Sequence, residues 1–185
     1  MLDQLLATPG VQERCCFGSS FGFLALHGGL EAGTAEIAQA AAVASNASVY
    51  AVVQPSDVRW HVPSHAFDPS QSDALEAFLA HVECVVSVHG FGGLRGDKDR
   101  WITGLLGGSH RVLAAQLADR LRDALPRYHW IDDLEGIPAH LRGVHPRNPV
   151  NRPRFGGVQI ELPPRVRKTT SDCAALIGAL ASVAY

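Results

Sequence analysis

Three stretches of this chain are apolar without the every-second-residue interruption of a half-solvated strand: residues 21–26 (FGFLAL), 48–53 and 84–88 (CVVSV). Strands of that kind are buried on both faces, which places them inside a sheet covered by helices. The segments between them supply the helices. Residues 34–45 are rich in alanine, with Gly33 or Thr34 at the N-cap. Leu75, Phe78, Leu79 and Val82 recur at i, i+3, i+4, i+7, and Leu113, Leu117, Leu121 and Leu125 form a stripe. Further strands are predicted at 101–106, 128–131 and 157–162, and an apolar helix over 171–184. Strands alternating with helices predict an α/β fold, a three-layer α/β/α sandwich on a mixed, mostly parallel sheet. FGFLAL also reads as the second arm of a hairpin turning at Gly18-Ser19-Ser20. Residues 55–70 read as an irregular loop, and Asp97, Lys98, Asp99 and Arg100 as a solvated tight turn.

Composition narrows the class. A chain of 185 residues that is 46% hydrophobic suits one globular domain, and 18% charged residues argue against disorder. A net charge of −2 argues against a general affinity for nucleic acid or anionic membrane. No apolar run is long enough to span a bilayer, and the start MLDQLLATPG lacks the basic and apolar regions of a signal peptide. A cytoplasmic monomer or homodimer is the expectation. The four cysteines, Cys15, Cys16, Cys84 and Cys173, form no CxxC pair and read as small buried thiols. A metal in this chain must therefore use nitrogen and oxygen ligands.

In parallel sheets, ligands bind beyond the carboxyl ends of the strands. His27 and His89 each follow a buried strand directly, and Glu161 lies near the end of a third. Two neutral imidazoles and the Glu31 carboxylate suit zinc and leave a fourth position open for water. Gly28 and Gly29 let backbone and substrate approach such an ion closely. Glu36, the other acid of the segment, falls in the first turn of the predicted helix, where it complements the dipole. Glu161, inside the apolar GGVQIELPP, is either a general base or an edge-strand residue facing water in alternation with Val158 and Ile160. His61, Ser64 and His65 lie on the irregular loop, as cleft lining or as plain surface.

Residues 140–168 carry seven of the chain's 16 basic residues (Arg142, Arg147, Arg152, Arg154, Arg165, Arg167, Lys168) and one acid. That local field suits an anionic ligand. It is a poor nucleic-acid patch, because Phe155 is its lone aromatic.

LALHGGLEAGTAEIA, VSVHGF, NPVNR and GGVQIELP together resemble the poly-γ-glutamate hydrolase family, a zinc-dependent group of bacteriophages and bacteria similar in structure to the zinc carboxypeptidases. The resemblance spans roughly residues 12 to 180. It implies a zinc-carboxypeptidase-like fold with one Zn2+ held by His27, Glu31 and His89. By the same resemblance, Asn151 and Arg152 hold a substrate carboxylate and Glu161 activates water. Arg147 and His65 join them as substrate-binding candidates, and a further arginine is expected to steady the oxyanion. The implied activity is hydrolysis of γ-glutamyl amide bonds in poly-γ-glutamate or a related anionic γ-linked peptide. A zinc deacylase of small N-acyl amino acids and a non-catalytic anion-binding protein are the alternatives.

Overall fold

The computed structural model describes residues 1–94, 96 and 99–184. A seven-stranded sheet runs in the order β1-β3-β2-β4-β7-β5-β6. Its parallel centre comprises β3 (Ala47–Val53), β2 (Ser19–Gly28), β4 (Cys84–Gly90) and β7 (Gly157–Leu162). β1 (Gln12–Cys16) is antiparallel to β3 on one edge. At the other, β5 (Thr103–Leu106) is antiparallel to β7 and parallel to β6 (His129–Ile131). The sheet is mixed and mostly parallel, as the alternation of strands and helices predicts.

Alternate residues of the central strands feed two apolar layers. Phe23, Ala25, Val86, Val88, Val158 and Ile160 pack under α2 (Thr34–Ser45), α4 (Arg111–Ala124) and α6 (Thr170–Ala181). Leu24, Leu26, Tyr50 and Val52 pack under α1 (Leu2–Leu6) and α3 (Asp73–His81), with Val62 and Phe67 from the long loop completing that layer. The helices are built for these contacts: α2 buries Ala35, Ile37, Ala38, Ala41 and Ala42, and α4 buries Leu113, Leu117 and Leu121. Small alanines let α2 lie close on the sheet, which fixes the turn that feeds it. α5 (Pro164–Lys168) is a short turn between β7 and α6.

Three local expectations are corrected. β1 and β2 do not form a hairpin, because β3 inserts between them. Gly18 N–H donates to Ser48 Oγ at 2.9 Å and Ser19 N–H to Asn46 O at 2.8 Å, so the connection crosses the start of β3 instead of closing on β1. The strand expected from 101 begins at Thr103, since the Ile102 and Thr103 amides donate to Asp99 O in a turn. All four cysteines are free thiols, but none is fully buried and Cys16 is exposed on the edge strand. Of the tight turn, Asp97 and Lys98 lie outside the described residues. Among those described, no helix is long and apolar enough to cross a membrane.

Candidate metal centre

β2, β4 and β7 are adjacent and parallel, so their carboxyl ends open on one edge of the sheet. His27, His89 and Glu161 are the penultimate residues of the three strands. Glu31 is delivered by the turn after β2. Gly29 adopts φ +77°, and a Cβ there would stand 2.0 Å from Gln54 O, so only glycine passes. The Glu31 amide donates to His27 O at 2.8 Å, and the Thr34 hydroxyl donates to Glu31 O at 2.8 Å. Gly33, in the left-handed region, caps α2, and Glu36 faces solvent in its first turn.

The turn brings Glu31 Oε1 to 3.0 Å from His27 Nδ1 and Oε2 to 3.5 Å from His89 Nδ1. The two Nδ1 atoms are 3.2 Å apart. Donors about 2.0–2.1 Å from a tetrahedral zinc are separated by about 3.3 Å, so these three distances fit a single ion. Tautomers fit as well. His27 Nε2 donates to Val62 O at 2.8 Å, leaving Nδ1 as the bare nitrogen. Ser87 Oγ lies 2.9 Å from His89 Nε2 and holds that ring with Nδ1 inward. Two nitrogen lone pairs and a carboxylate converging in a buried space repel one another unless a cation or protons lie between them. Among the described residues, this is the one group of three or more His, Cys, Asp or Glu side chains close enough to share an ion.

Electrostatics follow from that crowding. With protons rather than an ion on the two Nδ1 atoms, burial pushes the Glu31 carboxyl up, but hydrogen bonds from His27 and His89 and their charges overcome it and hold it well below the usual carboxylate range. Burial pulls His89 down. Burial also pulls His27 down, yet its hydrogen bond to Glu31 and the charge there leave it raised. Glu161, 4% exposed, is pushed up to about 8 by burial first and by the Glu31 charge second, against a hydrogen bond from Gln159 and the charge of Arg167.

A cleft of about 820 Å³ opens over these groups. Histidines at 27, 61, 65, 89, 140 and 145 line it together with Glu31 and Glu161, and among the described residues no arginine or lysine does. The His61 ring stands 4.7 Å from that of His27, and the His65 ring 4.8 Å from that of His145.

Comparison with known proteins then fixes the lineage. The sequence matches the poly-gamma-glutamate hydrolase family model over residues 4–176. The chain belongs to that family. No curated protein matches it by sequence. Among solved structures, a bacteriophage poly-gamma-glutamate hydrolase superposes with a TM-score of 0.78 at 20% identity, over 97% of this chain and 91% of the other. A zinc-free apo form of YNDL superposes with a TM-score of 0.73 at 23% identity, over 94% and 88%. At such identities the two show a shared fold.

Within this family member, the remaining candidate residues divide. Arg147 and Arg152 line a second pocket of about 200 Å³, which shares His65 with the main cleft and also contains Asp68 and Gln71. Asn151 spends its amide on the neighbouring loop, donating to Gly143 O at 2.7 Å and His145 O at 3.0 Å and accepting from Ser109 N–H at 2.9 Å. The basic segment does not act as one field. Arg154 pairs with Glu83 at 3.5 Å, and Arg142 Nε donates to Ile137 O at 2.8 Å. Arg167 sits behind the site, donating to Ala32 O, Leu162 O and Phe91 O. The expected arginine beside the oxyanion is therefore not found among the described lining of the cleft. Sequence reasoning missed Val62, Ser87, Asn148 and Gln159 as supports of the site. A carbonyl, a strand serine and two amides carry no pattern that separates them from ordinary structure.

Proposed function

We propose that the chain is a zinc-dependent amidohydrolase that cleaves γ-glutamyl amide bonds in poly-γ-glutamate or a related anionic γ-linked peptide. The observation that carries this reading is the convergence of His27, Glu31 and His89 donors at strand ends in one cleft with a buried Glu161. Family membership supplies the substrate class, and a neighbour described as zinc-free points to zinc as the ion relevant to that protein. Bound by the three residues, zinc would supply a Lewis acid for the amide carbonyl and a water acidified toward about 7.

The chain's own residues do the rest. Glu161 takes a proton from the attacking water and passes it to the leaving nitrogen. Burial raises its affinity for that proton, and a cation held by His27, Glu31 and His89 would lower it. Arg147 and Arg152, with His65 on the shared wall, receive substrate carboxylates. Among the described residues neither guanidinium has a hydrogen-bond or ion-pair partner, which suits both forks to a ligand. Asn151 braces the loop next to Arg152.

The test is removal and return of the ion. Dialysis against a chelator abolishes release of γ-linked glutamate oligomers, and one equivalent of zinc restores it. Full activity in verifiably metal-free protein overturns the reading, as does hydrolysis of N-acyl amino acids in preference to γ-linked oligomers. A second expectation concerns the adjoining pocket. Arg152→Ala or Arg147→Ala raises KM for anionic oligomers roughly 10-fold, about the 1.4 kcal/mol of one charge-assisted contact, and leaves a neutral amide substrate unaffected. Equal losses on both substrates remove these residues from substrate binding.

A further inference from the structure

Glu161 is held by two amides that the proton transfer above does not use. Gln159 and Glu161 are two apart on β7 and so emerge on the same face of the strand. Gln159 Nε2 donates to Glu161 Oε1 at 2.9 Å, and Asn148 Nδ2 donates to Gln159 Oε1 at 2.8 Å. Asn148, Gln159 and Glu161 are all buried, at 3, 5 and 4% exposure.

The direction of this chain is imposed by backbone. The Val150 amide donates to Asn148 Oδ1, and Gly143 O accepts from Asn148 Nδ2. An N–H cannot accept and a carbonyl cannot donate, so the Asn148 amide has one orientation. Its NH2 therefore faces Gln159, which turns Gln159 Oε1 toward Asn148 and Nε2 toward the carboxylate. Gly143 completes the arrangement: at φ +64°, a Cβ there would stand 2.6 Å from Gln159 Oε1, so any side chain would strike the amide.

Resting on the reading of Glu161 as proton carrier, we propose that Asn148 and Gln159 are positioning residues that fix the Glu161 carboxylate with Oε1 occupied and Oε2 left to carry the proton. A carboxylate with one oxygen engaged has one orientation in which to meet water and the leaving nitrogen. Without the lock it rotates among several, and only some are productive. Neither amide touches the three metal-ligating side chains by hydrogen bond, so their loss acts on the proton carrier and not on ion binding.

Asn148→Asp tests the proposal with almost no change in shape. The new carboxylate still accepts from the Val150 amide, but it accepts from Gln159 as well. It draws Nε2 to itself and turns Oε1 against Glu161. The expected result is a fall in kcat of about 10- to 100-fold on γ-linked glutamate oligomers, with KM and bound zinc per chain unchanged. Gln159→Met, which removes the donor and keeps the length, gives a loss of similar size. In a Glu161→Gln background, Asn148→Asp lowers the residual rate no further. Retention of wild-type kcat by both variants overturns the proposal, as does an equal loss in the two backgrounds or a loss that tracks zinc content. An active Glu161→Gln enzyme would instead overturn the assignment of the proton carrier, so the two failures are distinguishable.

Discussion

Glu161→Gln retains a full complement of zinc and loses about 100- to 10,000-fold in kcat, the range that a positioned general acid–base contributes. The substitution is nearly isosteric, and it spares the ion because the three converging donors belong to residues 27, 31 and 89. Among the described residues, Glu161 and the candidate ligand Glu31 are the two carboxylates that line the cleft, so the substitution leaves no other described carboxylate there as acceptor. Two of the surrounding histidines are poor substitutes as proton acceptors: burial and the charge of His27 pull His61 down, and burial holds His89 down. Rates on γ-linked oligomers, measured beside metal analysis of the same samples, check both halves. Near-native turnover with zinc present would remove Glu161 from the chemistry. Lost zinc would show instead that its charge helps to hold the ion.

The sequence reveals the strands of this fold most clearly where burial is two-sided. CVVSV is broken only by the small, buried Ser87, because Val86 and Val88 face the layer under α2 while Val85 faces the layer under α3, so β4 is legible from composition alone. β1 is not. QERCC is an edge strand with mostly exposed side chains, and its pairing with β3 is set by a connection across the start of that strand. The candidate metal ligands were legible for a related reason: buried parallel strands end where ligands bind, and His27 and His89 are polar residues standing at those ends.

Glu161 was ambiguous for a physical reason. Alternation of Gln159 and Glu161 with Val158 and Ile160 describes a solvated edge and a polar cleft wall equally well. What separates them is that β7 lies between β4 and β5, a long-range fact that no local pattern encodes. The basic segment misled in the opposite way. Its arginines are near in sequence but leave the loop before β7 and the short helix α5 after it in different directions. Arg147 and Arg152 reach one pocket while Arg154 reaches Glu83.

The same burial gives metal-free protein a stability that depends on pH through Glu161. In the unfolded chain this carboxyl titrates near 4.5, and in the folded chain it is pushed up to about 8. Between those values the folded state holds a proton that the unfolded state has released, so stability falls as pH rises through the window. Below about 4.5 both states are protonated, and the neutral acid resembles an amide in charge and shape. Metal-free Glu161→Gln therefore matches wild type near pH 4 and exceeds it increasingly toward pH 8, with a ceiling of roughly 5 kcal/mol at about 1.4 kcal/mol per unit. Local rearrangement and water entry reduce that figure, and a gap of a few kcal/mol is the expected observation. Zinc narrows the gap, because a cation beside the carboxylate favours its charged form. Urea unfolding of both proteins at several pH values, with and without zinc, measures all of this. A gap that is constant with pH, or widest at low pH, would mean that Glu161 is ionised in the metal-free fold and that the burial of its charge is compensated elsewhere.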